Sequence, residues 1–254
     1  MPVPIPPDEA AKTLSGSQAN KPVSVASLHP PITAFTEGTM PAVNGGSSSS
    51  GAAIYGRSQT SDGVHGESYG SGMSAVAGIH NSGGNGLYGQ SSGNAGCFDG
   101  NVQVNGNVNV TGDVMLAGAD CAESFAVTTD QALQPGDVLV IGDDGRLQRS
   151  VSEYDHRVAG VVASAGDYKP GIVLDSHPRS TGERAVVSLI GKVYCFADAA
   201  YGPIVPGDLL TTSNTPGHAM RAVDGHRSIG SIIGKALGPL GQGSGLIPML
   251  VTLK

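Results

Sequence analysis

Tryptophan is absent from this 254-residue chain, and it holds only seven tyrosines and four phenylalanines. Charge is scarce too, at 14% of residues, while glycine reaches 39 and proline 16, a composition that argues against one ordinary globule. The formal net charge is −7, and no Lys/Arg cluster accompanies the few aromatics, so nucleic acid is not an expected partner. No segment approaches the roughly 18 apolar residues that span a bilayer, so no membrane span is expected. The start, Met1-Pro-Val-Pro-Ile-Pro-Pro-Asp-Glu, lacks the basic and apolar regions of a secretory signal, which points to assembly in the cytoplasm. Cys97, Cys121 and Cys195 are odd in number and lack metal-like spacing, so they read as reduced, partly buried thiols rather than a disulfide framework or zinc site.

What is present is repetition. Gly100, Gly106, Gly112 and Gly118 fall at six-residue spacing and divide the run into Gly-Asn-Val-Gln-Val-Asn, Gly-Asn-Val-Asn-Val-Thr and Gly-Asp-Val-Met-Leu-Ala. Valines at 102, 104, 108, 110 and 114 alternate with polar residues, so each short strand has one apolar face, and glycine supplies the turns. Strands this short cannot bury Val102, Val104, Val108, Val110 and Val114 alone. The simplest partner is another copy of the chain.

A looser repeat precedes this shaft. Ile-Tyr-Gly at 54–56, Val-His-Gly at 64–66, Val-Ala-Gly at 76–78, Leu-Tyr-Gly at 87–89 and Cys-Phe-Asp at 97–99 recur every ten to twelve residues, separated by Ser, Asn and Gly turns. Residues 1–50 are rich in Pro, Ser, Ala and Gly and read as an extended N-terminal anchor, with a short helix around 8–14 as an option.

After Gly118 the texture changes to longer strands separated by Pro-Gly and Asp-Gly turns, expected at 137–142, 146–150, 158–163, 171–175, 185–197, 207–212, 218–223, 230–237 and 246–253. Almost no helical periodicity interrupts them, so this part reads as an all-β barrel or sandwich. It also contains a duplication. Pro135-Gly136-Asp137 matches Pro206-Gly207-Asp208 at an offset of 71 residues, and the stretch from Asp155-His156-Arg157 matches Gly225-His226-Arg227 at an offset of 70. In each Pro-Gly-Asp turn, Pro fixes φ, Gly takes a positive φ and Asp is expected to accept a backbone N–H beyond it.

The stretch from Leu87-Tyr-Gly through Cys97-Phe-Asp-Gly-Asn-Val-Gln-Val-Asn-Gly resembles the shaft repeats of bacteriophage tail fibres and appendages. The segment Ala119-Asp120-Cys121-Ala122-Glu123-Ser124-Phe125, with the barrel after it, resembles the C-terminal domain of phage neck-appendage proteins, the intramolecular-chaperone autoprotease family. That resemblance implies three chains set in register by the C-terminal domain, with Asp120 and Glu123 as acid and base on a peptide bond such as Ala119–Asp120. The other reading gives both carboxylates a structural turn role. The chain departs from the family pattern at Cys121, where an aromatic residue is expected.

Other chemical candidates are fewer. His29, His65, His80, His156, His177, His218 and His226 show no ligand spacing, although copies of His65 or His80 gathered on a threefold axis could hold a metal or anion. Gly238 to Gly245 lacks the lysine of a phosphate loop and reads as a hairpin, and the Ser213/His218 stretch reads as a turn. Tyr55, Tyr69 and Tyr88 could stack on sugar rings or fill space between chains.

The expected protein is therefore all-β and homotrimeric: an anchor over 1–50, a Gly-rich β-repeat region over 51–99, a hexapeptide shaft of β-prism or β-helix type over 100–119, and a pseudo-duplicated barrel over 120–254. The expected role is a structural fibre, spike or appendage of a phage tail or phage-like particle, assembled in the bacterial cytoplasm. Its partners would be its own copies, other particle proteins held through the N-terminal segment, and a surface glycan. No cofactor, metal or catalytic activity is expected. The alternatives are a self-cleaving chaperone and a carbohydrate-binding adhesin.

Overall fold

The computed structural model describes residues 46–48, 50, 52–128, 132–176 and 182–252. Most of the N-terminal anchor, the optional helix at 8–14, His29 and His177 lie outside the described residues. Backbone contacts divide the chain between Val102 and Gln103.

In the first part no described residue belongs to a strand or helix, and the order that exists follows the repeat. The glycine ending each unit lies against the backbone just before the next unit's apolar residue. A Cβ on Gly56 would lie 2.4 Å from the Gly63 carbonyl oxygen, and one on Gly78 would lie 2.3 Å from that of Gly86. Gly66 and Gly89 meet Ala75 and Ala95 in the same way. Each unit is thus a loop closed on itself, and only glycine allows the closure.

The second part begins at Gln103 within the hexapeptide repeats and continues into ten strands among the described residues: β1 Asp120–Ala126, β2 Val138–Ile141, β3 Leu147–Arg149, β4 Val158–Val162, β5 Pro170–Leu174, β6 Arg184–Asp198, β7 Leu209–Thr212, β8 Ala219–Arg221, β9 Ile232–Ala236 and β10 Ser244–Thr252. A single 3-10 turn, Ala199–Tyr201, is the only helical element among the described residues. Strands β6, β10, β9, β7 and β8 close into a barrel, since β8 returns to β6 through Ala197 and Ala219. The long β6 also carries β4, β2 and β3 outside that ring, and β1 with β5 beside it. The fold is all-β with a C-terminal barrel, as the sequence pattern requires.

Two apolar clusters hold this part together. The larger contains Val138, Val161, Val193, Leu210, Ile233, Met249 and Val251, and the smaller contains Val127, Leu139, Leu147, Val162 and Val187. Neighbours Val138 and Leu139 serve different clusters, as do Val161 and Val162, because successive strand residues face opposite sides. This explains the unbroken apolar runs in β2 and β4: both strands are covered on both faces.

The duplication is visible as two equivalent three-stranded units, β2–β3–β4 and β7–β8–β9. Leu139 pairs with Arg149 and Gly160, and Leu210 pairs with Arg221 and Gly234, each with an irregularity at the next residue of the central strand. The strand correspondence places Val158 opposite Val140 and Ile232 opposite Thr211. This corrects the offset of 70 read from His156-Arg157 and His226-Arg227: the third strands correspond at an offset of 74 against 71 for the central strands, so the second half carries three extra residues between them. The preceding turns are alike in form but one residue out of the register read from the histidines, since Asp155 and Asp224, 69 residues apart, each accept the amide two residues on.

Candidate functional site

The hexapeptide-repeat segment leads into β1 at Gly118–Asp120, and two glycines clamp the junction. A Cβ on Gly118 would lie 2.1 Å from the Gly171 nitrogen, and one on Gly191 would lie 2.7 Å from both the Ala119 carbonyl oxygen and the Asp120 Cα. Backbone bonds complete the clamp: Ala119 N–H donates to the Lys169 carbonyl at 2.8 Å, and Lys192 N–H donates to the Ala119 carbonyl at 3.1 Å. Gly191, at φ +114°, pairs with both Asp120 and Val251, so β6 passes from β1 to β10 at that residue.

Beyond the clamp, Asp120 and Glu123 lie in β1, paired with β5 on one side and β6 on the other. A turn role is therefore corrected to a strand role. Asp120 is buried with Ala122 and Ser124, whereas Cys121, Glu123 and Phe125 share the other, half-buried face. An acid and a base separated by an odd number of strand positions point to opposite faces, so this chain does not bring Asp120 and Glu123 together across one peptide bond. The partner of Asp120 is Ser188 of β6, whose hydroxyl donates to the carboxylate. Burial pushes the Asp120 carboxyl above the ordinary aspartate range, and the Ser188 bond only partly offsets this. Nothing in the sequence pattern pointed to Ser188.

Upstream of the junction, the chain bends at residues 99–100, 105–106 and 111–112, the expected six-residue rhythm, and runs without strand partners between the bends. The valines are open to solvent within the chain: Val102 61%, Val104 52%, Val108 70%, Val110 48% and Val114 66% exposed. Of the shaft glycines, only Gly100 has a positive φ, at +137°. Neither crowding nor a positive φ requires glycine at 106 or 112 within one chain, which corrects the turn-geometry rationale there.

In the Pro-Gly-Asp turns the glycines take the positive φ, but each aspartate accepts the amide three residues before it rather than one beyond it, which corrects the expected direction. Gly136 and Gly207 have φ +98° and +95°. Asp137 Oδ2 accepts the Gln134 amide and Asp208 Oδ2 accepts the Val205 amide, each at 2.9 Å. Each carboxylate also meets an arginine from the second strand of its unit: Arg149 Nη2 lies 2.9 Å from Asp137, and Arg221 Nε lies 3.3 Å from Asp208. The arginine partners escaped the sequence reading, although both follow their aspartates by nearly equal intervals.

The remaining candidates resolve into local structure. His80 Nδ1 accepts the Ser82 and Gly84 amides, which occupies that lone pair. His65 is exposed between Glu67 and Asp62, whose carboxylates raise its pKa. Ser213 Oγ is held by Thr215 and His218 Nδ1 by the Pro216 carbonyl, so they do not form a catalytic pair. Tyr55, Tyr69 and Tyr88 are exposed. Cys195 lies fully buried, which pushes its thiol up to about 12. Among the described residues no cluster suited to a metal ion occurs, and no helix is long and apolar enough to cross a membrane.

The chain matches no protein-family model and no curated protein. Among solved structures, pre-mature bacteriophage phi29 gene product 12 is similar over 59% of this chain and 24% of its own, at 16% identity and a TM-score of 0.41. The C-terminal fragment of bacteriophage phi29 gene product 12 is similar over 52% of this chain and 100% of its own, at 15% identity and a TM-score of 0.34. The chain thus spans about a quarter of the length of the pre-mature phage protein to which it is similar.

Proposed function

We propose that this protein is a structural, homotrimeric appendage of a phage tail or phage-like particle. Three copies share a β-shaft, and the barrel sets their register. The observation that carries this reading is the valine stripe, which stays roughly half or more exposed at every position from Val102 to Val114 in a chain whose barrel core is complete. An exposed apolar stripe on a segment whose backbone has no ladder partners is an association surface. The glycines at 106 and 112 support the same reading. Their lack of a role within one chain is accounted for where a neighbouring backbone passes close by.

A repeat of six residues allows three chains to slip by whole units at small cost. A globular end that folds by itself fixes where pairing starts. The N-terminal segment joins the trimer to other particle proteins in this reading.

Sedimentation equilibrium of the full chain tests the proposal. The expected mass is three times the 25.4 kDa of one chain, falling to one chain when Val102, Val104, Val108 and Val110 are replaced by serine. A folded wild-type monomer overturns it.

A further inference from the structure

We propose that a short apolar row at the root of the shaft, Ile172, Cys121 and Ile190, is the surface on which the barrels of three copies of this chain meet. The inference rests on the trimeric-shaft reading and locates the contact that reading leaves unspecified.

Cys121 of β1 is partnered by Ile172 of β5 on one side and Ile190 of β6 on the other, with a register irregularity beside it in each pairing, so the three residues lie in one row across the strands. Ile172 is 45% exposed and Ile190 65% exposed, and Cys121 between them is half-buried. Among the described residues β5 pairs only with β1, leaving its outer edge open beside this row. A lone exposed isoleucine is ordinary. Two flanking a thiol at an open sheet edge form a surface that soluble proteins cover or charge.

Chain continuity identifies the occupant. Leu116 continues the alternation of the last hexapeptide unit and is exposed like its valines. It precedes Gly118 by two residues, which span at most about 7 Å of extended chain. Gly118 in turn touches the Gly171 backbone so closely that no side chain fits between them. Three stripes meeting on one axis therefore hold three copies of Gly118 near that axis, and three copies of Gly171 with them. The row through Ile172, Cys121 and Ile190 is the next one along β1 after the junction row of Pro170, Asp120 and Gly191. Its nearest large neighbour is the same row on the other copies.

Ile190→Glu and the Ile172→Glu/Ile190→Glu double variant test this. Both positions face solvent within one chain, so the barrel should still fold, with wild-type strand content by circular dichroism. In sedimentation equilibrium at neutral pH, where the wild type has the trimer mass, the single variant should dissociate at higher concentration than the wild type. The double variant should have the mass of one chain. High salt should partly restore association of the single variant, because the introduced repulsion is between like charges. A double variant that stays fully trimeric overturns this inference and leaves the shaft reading standing. A monomeric wild type overturns both. If the double variant does not fold, the single variant decides, and wild-type association overturns the inference.

Discussion

The Arg227 guanidinium lies 4.5 Å from the centre of the Tyr154 ring, and the Tyr154 hydroxyl accepts the amides of Val223 and Asp224 at 2.8 and 3.0 Å. Arg227 also pairs with Glu153 at 2.9 Å. The two loops preceding the third strands of the duplicated units thus clasp each other. Tyr154 holds this position at φ +54°, a conformation costing on the order of 1 kcal/mol for a bulky residue. Tyr154→Phe keeps the ring but removes the acceptor. It should destabilise the barrel by about 1–2 kcal/mol, lowering the melting temperature by several degrees in calorimetry. An unchanged melting temperature would show the clasp to be energetically idle.

The two Pro-Gly-Asp turns offer a matched pair for comparison. The Asp137 side chain is 2% exposed and that of Asp208 is 16% exposed, although each has an amide and an arginine as partners. Removing a buried carboxylate leaves Arg149 partly desolvated without its counter-charge. Asp137→Ala should therefore cost about 3–5 kcal/mol, and Asp208→Ala about 1–2 kcal/mol, by urea denaturation. Equal losses would mean that burial does not distinguish the two turns.

At the junction, Gly118→Ala places a methyl carbon against the Gly171 backbone, which no rotamer change can move away. The expected loss is about 1–3 kcal/mol of barrel stability, read as a lower urea midpoint. Gly106→Ala meets open space within one chain and should leave the strand content of the barrel unchanged, and on the proposed trimeric reading it should weaken association in sedimentation.

Asp120 gives a pH signature. Its folded carboxyl titrates above the unfolded value of 3.8 because burial disfavours the charge. The folded chain therefore binds this proton more tightly, so stability falls as pH rises from the unfolded value through the folded one and stays reduced above it. Asp120→Asn removes that slope while leaving an oxygen for Ser188. The variant should gain in melting temperature over the wild type at pH 7 and show no gain below the unfolded value. A melting temperature at pH 7 at or below that of the wild type would overturn this account.

Much of the barrel can be read from local pattern, because its strands are β-rich runs bounded by Pro-Gly and Asp-Gly turns. All nine expected strands are present as β2 to β10, within a residue or two at most described ends. The exception is β1. Asp-Cys-Ala-Glu-Ser-Phe-Ala has no β-branched residue and a charge at its first position, so propensity gives no sign of a strand. It is a strand because β5 and β6 offer ladder partners on both sides, and those partners lie about 50 to 70 residues away in sequence.

The sequence alone determined the six-residue rhythm, the all-β character and the existence of two related halves, since each depends on residue order and turn chemistry within a short window. The tertiary structure decided that Asp120 pairs with Ser188 and is separated from Glu123, that the third strands of the two halves correspond at an offset of 74 rather than 70, and that Gly118 is locked against Gly171. These are long-range relations. They arise when distant strands come into register, and no local window of the chain contains the partner.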